Sequence, residues 1–166
     1  QALIRDDFVD DTFTYTISDG VLASEATVNV RVTGENKLPS ALPDADPALL
    51  IDEDSVLDTS ADPNDPNDVV YSVLSNDSDP ENDNLSVVGF NGTSSLTGIT
   101  VNGASVELFA DGTFTYTPTA NANGSDSFTI TVNEIGTASS VTQAVAVTIA
   151  SVADAPTGDA TKALSV

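Results

Sequence analysis

Polar and apolar residues alternate one by one through most of this chain. Thr12-Phe13-Thr14-Tyr15-Thr16-Ile17 is the clearest run, with Phe13, Tyr15 and Ile17 on one face. Successive side chains of an extended strand point to opposite faces, so this period of two predicts a half-buried β-strand. Residues 26–32 alternate likewise and set Val28, Val30 and Val32 inward. Thr113-Phe114-Thr115-Tyr116-Thr117 repeats the Phe/Tyr pattern. Residues 126–132 place Phe128, Ile130 and Val132 on one face, and residues 143–152 do so with Val145, Val147 and Ile149. The aromatic residues of these faces read as core. Strand-like apolar runs occupy residues 69–74 and 85–90, and residues 48–56 hold room for a short strand interrupted by Asp52-Glu53-Asp54. Asn102-Gly103, between residues 98–101 and 104–108, is a two-residue hairpin signal. No useful stretch has a helical period. Many short strands separated by turns predict an all-β protein built as an antiparallel β-sandwich.

Between the runs at 69–74 and 85–90 lies Asn76-Asp77-Ser78-Asp79-Pro80-Glu81-Asn82-Asp83-Asn84. Asp77, Asp79, Glu81 and Asp83 stand at alternate positions, with amide oxygens among them. Hard cations such as Ca²⁺ take about six to eight oxygen ligands from flexible loops of this kind. The same residue types also build a solvated Asx turn, but four acids packed this closely repel one another unless a cation intervenes. Calcium is therefore the expected cofactor, with Asp77, Asp79, Glu81 and Asp83 as its first candidate ligands. The proline-punctuated acidic stretch at residues 58–68 reads equally as a second cation loop or as a solvated excursion.

Charge sharpens this picture. The chain has 166 residues, 26 Asp and Glu against 4 Lys and Arg, and a formal charge of −22. Nucleic-acid binding needs cationic side chains against phosphate, so it is excluded as an ordinary role. Docking on an anionic membrane surface is disfavoured for the same reason. No apolar run approaches the roughly 20 residues of a membrane span, so direct membrane insertion is not expected. There is no Cys, His, Met or Trp; disulfides and thiolate metal sites are absent, and zinc is not expected. Catalysis would fall to carboxylates, Ser, Thr, Lys or Tyr, and no nucleophile motif such as Gly-x-Ser-x-Gly is present. The chain is not expected to be an enzyme.

The two ends of the chain repeat one another. Asp11-Thr12-Phe13-Thr14-Tyr15-Thr16-Ile17 matches Asp126-Ser127-Phe128-Thr129-Ile130-Thr131-Val132, and Val28-Asn29-Val30-Arg31-Val32 matches Val145-Ala146-Val147-Thr148-Ile149. Each pair is followed by a linker, ending at Pro39 and at Pro156, 117 positions apart. A period this long indicates whole domains in tandem. The organisation read from it is the last strands of a preceding repeat at 1–38, a complete repeat at 39–156, and the start of a following one at 157–166.

Several motifs then carry a resemblance: Asp52-Glu53-Asp54-Ser55-Val56-Leu57, Val73-Leu74-Ser75-Asn76-Asp77-Ser78-Asp79-Pro80, Asp111-Gly112-Thr113-Phe114-Thr115-Tyr116-Thr117-Pro118, Gly124-Ser125-Asp126-Ser127-Phe128-Thr129 and Ala153-Asp154-Ala155-Pro156. Together they resemble the tandem cadherin-like repeats of giant bacterial surface adhesins, type I-secreted RTX proteins, and residues 1–38 are similar to the end of a VCBS repeat from the same class. The resemblance implies immunoglobulin-like sandwiches in series, calcium binding, an extracellular location at the bacterial cell surface, and a part in adhesion and biofilm. It adds Glu53, Asp54, Asp19 and Asp154 as candidate calcium ligands near domain ends, with Asp19, Glu35, Glu53 and Asp54 expected to meet at the first linker and Asp154 at the second. The usual Asn-Asp-Ala-Pro linker is here Asn36-Lys37-Leu38-Pro39, which implies a more weakly metallated first junction.

Three roles follow. A calcium-stiffened extender, contacting adjacent repeats of the same chain, fits best. A glycan- or peptide-binding adhesin domain, or a self-assembling matrix fibre subunit, is the alternative. With 3 Tyr, 6 Phe and no Trp, mostly on strand faces, there is little aromatic surface to anchor a ligand. Residues 1–38 supply too few strands to bury their own apolar face, so that segment is expected to pack on the repeat, to pair with a neighbouring molecule, or to remain loosely ordered.

Overall fold

The computed structural model describes residues 3, 5–44, 49–60 and 70–154. Ten strands run through them: β1 (Phe8–Ser18), β2 (Ala23–Thr33), β3 (Leu50–Asp52), β4 (Leu57–Asp58), β5 (Leu85–Phe90), β6 (Thr97–Ile99), β7 (Ser105–Leu108), β8 (Phe114–Thr117), β9 (Gly124–Glu134) and β10 (Ser140–Ala150). The expected all-β sandwich is present. One sheet has the order β3-β10-β9-β5 and the other β4-β8-β7-β6. Neighbours pair antiparallel except β3, which runs parallel to β10. Among the described residues no helix is long and apolar enough to cross a membrane.

The inward phase of each alternating run becomes the core. Phe128, Ile130 and Val132 of β9 and Val145, Val147 and Ile149 of β10 meet Val106, Leu108, Phe114 and Tyr116 of the facing sheet. Phe128 stands edge-on to Phe114 at 5.7 Å between ring centroids and stacks on Phe90 at 5.6 Å. Each such side chain, fully buried, contributes about 1.5–3 kcal/mol relative to exposure. The Asn102-Gly103 turn joins β6 to β7 as expected, with Gly103 at φ +88°.

Of the apolar run at 69–74, the described residues 70–74 form no strand. Residues 73–76 form a turn, and the backbone on either side is irregular. The Tyr71 N–H donates to the Thr59 carbonyl and the Val73 N–H to the Gly112 carbonyl, so the segment bonds singly to two loops. Its apolar residues are buried unevenly: Val73 is fully enclosed, Tyr71 and Leu74 are half-buried, and Val70 is exposed. Gly112 lies against Ser72 and Leu74, at φ +86°, where a Cβ would collide with the Ser72 hydroxyl.

Strands β1 and β2 form a separate two-stranded sheet. Its register reproduces that of β9 and β10: Phe13 pairs with Val28 as Phe128 pairs with Val145, and Asp11 with Val30 as Asp126 with Val147. The residues that match in sequence thus occupy matching places. The core expected for Phe13, Tyr15 and Ile17 is not formed, since these side chains are 54%, 46% and 60% exposed. Val30 and Val32 are exposed too, and Val28 is half-buried. The physical reason is plain: β9 and β10 are covered by β7 and β8, and the described residues place no such sheet over the hairpin. The chain's own charges brace it instead, with the Arg31 guanidinium donating to both oxygens of Asp10 at 2.7 Å and lying 4.2 Å over the Phe8 ring.

Strand direction fixes the two ends of the sandwich. Residues 36–42 lie beside Ser139 and Ser78, where β9 ends and β10 begins. The chain leaves at residues 151–154, beyond the far end of β10. With 11 residues in β10, these two ends are separated by about 35 Å. The first is the proximal end and the second the distal end. The reading of residues 157–166 as a following repeat, most of the acidic 58–68 stretch, and the Pro156 boundary lie outside the described residues.

Candidate functional site

The central acidic loop sits at the proximal end and is built as a tight, hydrogen-bonded turn. The Ser40 and Ser78 backbones bond each other at 2.8 and 3.1 Å. Asp79 Oδ1 accepts the N–H groups of Glu81 at 2.8 Å and Asp83 at 3.1 Å, closing the turn on itself. Asn82, at the bend, takes φ +62°, a conformation Asn tolerates better than most residues. Asp77 Oδ1 accepts the Leu42 N–H at 2.9 Å. Burial pushes the Asp77 carboxyl above its ordinary range, against the opposing pull of the Leu42 N–H and of Gln143.

The other two acids already face cations. Glu81 is bound by one residue twice: the Lys37 ammonium donates to Oε1 at 2.9 Å and the Lys37 N–H to Oε2 at 3.1 Å. The Glu81 side chain is 2% exposed and that of Lys37 62% exposed. The Arg5 guanidinium lies 3.3 Å from Asp83 Oδ2. Beside them, Asn36 donates to Glu134 Oε2 at 2.6 Å and to the Ser139 hydroxyl at 2.8 Å.

Glu134 was not anticipated by motif. It is fully buried at the end of β9. Its signal in the sequence is phase: residues 126, 128, 130, 132 and 134 all point inward, and the first and last are acids. An acid on an inward phase must find donors or a cation. Gln143 shows the same signal on β10, donating to Asp44 Oδ2 at 2.7 Å and to the Val73 carbonyl at 2.8 Å.

The remaining expected ligands are elsewhere. Glu53 and Asp54 follow β3 at the distal end, where the Glu53 N–H donates to the Ala150 carbonyl and Glu53 Oε1 accepts from Val152. Asp154 stands exposed just beyond, on the same segment as Val152. Asp19 is in the hairpin turn, where the Leu22 and Val21 N–H groups hold its carboxyl below the usual range. The expected meeting of Asp19, Glu35, Glu53 and Asp54 at the first linker does not occur: of the four, Glu35 alone stands on the linker, exposed. Asp19 is a strand length away at the hairpin tip, and Glu53 and Asp54 are carried to the far end by the parallel pairing of β3 with β10.

Donor chemistry suits a hard cation at the proximal end. Asp77 Oδ2, Asp79 Oδ2, Glu134 Oε1 and Asn36 Oδ1 are buried oxygens with no hydrogen-bond partner. Convergence does not follow from chemistry, however: among the described residues no three Asp or Glu side chains come together as a chelating group. Lys37 and Arg5 hold two of the four loop acids instead.

With fold and loop in place, the family is defined. Residues 36–151 match the model of the bacterial cadherin-like domain, and the chain belongs to that family. Such domains are adhesion-related extracellular modules. No curated protein matches the chain. Among solved structures, it is similar to the endo-fucoidan hydrolase MfFcnA4 of glycoside hydrolase family 107, with a TM-score of 0.42 and 16% identity. A histidine-to-glutamine variant of that enzyme aligns with a TM-score of 0.40 and 16% identity. In both, 87% of this chain is covered and 19% of the other, so the chain spans about a fifth of their length.

Proposed function

We propose that the chain is an extender module of a large secreted bacterial adhesin, spacing other parts of that protein away from the cell and contributing to adhesion and biofilm. One observation carries this reading: the linker joins the sandwich at one end and the chain leaves at the other. A domain threaded end to end adds its full length to a rod, about 35 Å for strands of this size. The repeated register of β1–β2 and β9–β10 supports further sandwiches in series along the same chain. The hairpin's exposed apolar face supports packing against an adjacent repeat or self-association with a neighbouring molecule.

Calcium is the second part of the proposal. Calcium would draw on Asp79, Asp77, Glu134 and Asn36 at the proximal end, whose buried oxygens lack donors, and on Glu53, Asp54 and Asp154 at the distal end, gathering side chains that do not converge without it. Its contribution would be to neutralise buried carboxylates and stiffen the domain ends. Small-angle scattering of the whole chain tests the extender role. An elongated particle with the hairpin projecting beyond the sandwich is expected; a compact particle, with the hairpin folded back along it, would overturn the reading.

A further inference from the structure

The chain has few cations to spend. Four of its residues are Lys or Arg. Of the three described, Arg31 serves the hairpin, while Arg5 and Lys37 both come from outside the sandwich strands to neighbouring acids of one loop. A carboxylate enclosed as closely as that of Glu81, 2% exposed, needs a close positive charge and donors for both oxygens. Lys37 supplies all of this, its ammonium to one oxygen and its backbone N–H to the other. Asn36, its neighbour, is tied to the last residue of β9. Two consecutive linker residues are therefore pinned to two buried glutamates on different elements. A tethered ammonium sits at a high effective concentration that a dissolved ion must overcome.

We propose that Lys37, assisted by Arg5, is the built-in counter-ion of the proximal junction, so that the linker is held against the sandwich without a divalent cation. This deepens the extender reading, on which only its mechanical meaning rests. Calcium at the oxygens of Asp79 and Glu134 then adds stability without being needed to hold the linker. The ammonium is replaceable: with it removed, Glu81 Oε1 is a buried anion with no donor, and the same cluster turns to a dissolved cation.

Amide exchange of the whole chain tests this, because Lys37, Glu81 and Asp83 each donate an N–H to a carboxylate of the cluster. In the native chain these three amides should already be protected in chelator, and millimolar calcium should add to that protection without creating it. In Lys37→Met their exchange should quicken about tenfold or more in chelator and slow again in calcium, as local opening dictates. Lys37→Arg should behave as the parent. Native amides that need calcium for protection, or a Lys37→Met chain equally protected in chelator, would overturn the proposal. Exchange in β9–β10 reports whether the variant is folded. Should it not fold, Lys37→Gln gives the answer: it keeps a donor near Glu81 but removes the charge, so the linker amides should need calcium for protection while β9–β10 stays protected, and linker amides equally protected in chelator would refute the counter-ion role. Particle shape and calcium-dependent melting are separate readouts, so the extender reading stands or falls independently.

Discussion

The Tyr116 hydroxyl donates to Asp126 Oδ2 at 2.8 Å, and this bond crosses the sandwich. Tyr116 belongs to β8 in one sheet and Asp126 to β9 in the other. The Thr100 hydroxyl donates to the same oxygen, and the Ser127 N–H at 2.8 Å to the other. The carboxylate is thus satisfied in the core and fixes the two sheets in register. Tyr116→Phe keeps the ring packing and removes one donor. Hydrogen bonds to charged groups are worth about 1.5–3 kcal/mol, and a loss of that size in urea unfolding, with an unchanged m-value, is expected.

Alkaline titration reports on the same pair. Burial, with Asp126 second, raises the Tyr116 hydroxyl well above an ordinary phenol. The native state therefore holds this proton when the unfolded chain would release it. The stability this gives is complete below the unfolded value of about 10 and is lost as pH rises toward the native value. Absorbance of phenolate should show Tyr116 ionising together with loss of tertiary structure, and not before it.

Asp77 has the opposite consequence near neutrality. Its raised pKa means the native state favours the protonated form. Stability from this group is present at low pH and lost as pH rises through its native pKa, so at pH 7 the ionised side chain is a cost. Asp77→Asn keeps an oxygen for the Leu42 N–H and removes the charge. A small gain, under about 1 kcal/mol, is expected at pH 7 in chelator. It should vanish below the ordinary Asp pKa, where both side chains are neutral.

Calcium binding is read most directly from melting. A ligand that binds only the native state stabilises it by about 2.7 kcal/mol at a hundredfold excess over Kd. The melting temperature should therefore climb with calcium and return in chelator. Asp79→Asn preserves the acceptor that closes the turn while replacing the unpartnered oxygen with an amide. That variant should fold in chelator and lose most of the calcium-dependent rise. A native melt indifferent to millimolar calcium would remove calcium from the function.

Strand position and face were legible in the sequence because a period of two leaves little freedom: Phe114, Tyr116, Phe128, Val145 and Val147 are all inward and buried. The 69–74 run misled because a residue such as Val73 can be buried from an unpaired segment, so an apolar run need not be a strand. The acidic loop was legible as a turn rich in oxygens. Its partners were not, because Lys37 and Arg5 reach it from 44 and 78 positions away along the chain, and Glu134 is tied to Asn36, the neighbour of Lys37, across 98 positions. Only Glu134 carried a local sign, an acid standing where the strand's phase demands an apolar side chain.

The hairpin offers a comparison that needs no variant. Strands β1 and β2 repeat the register of β9 and β10 down to the local bond, since Asp11 Oδ1 accepts the Thr12 N–H at 2.8 Å as Asp126 Oδ1 accepts that of Ser127. What differs is cover. Asp126 meets a tyrosine and a threonine hydroxyl from the facing sheet, whereas Asp11, like Phe13 and Tyr15, is exposed. Two-stranded sheets are marginal in water, and it is packing on a second layer that makes such strands resist opening. Amides paired between β1 and β2 should accordingly exchange at least about a hundredfold faster in dilute solution than the matching amides of β9 and β10. Their protection should rise with protein concentration, as self-association of the apolar face requires. Protection that is low and independent of concentration would confine the hairpin's partner to an adjacent repeat of the same chain, and protection equal to that of β9–β10 at every dilution would mean the face is covered within one molecule.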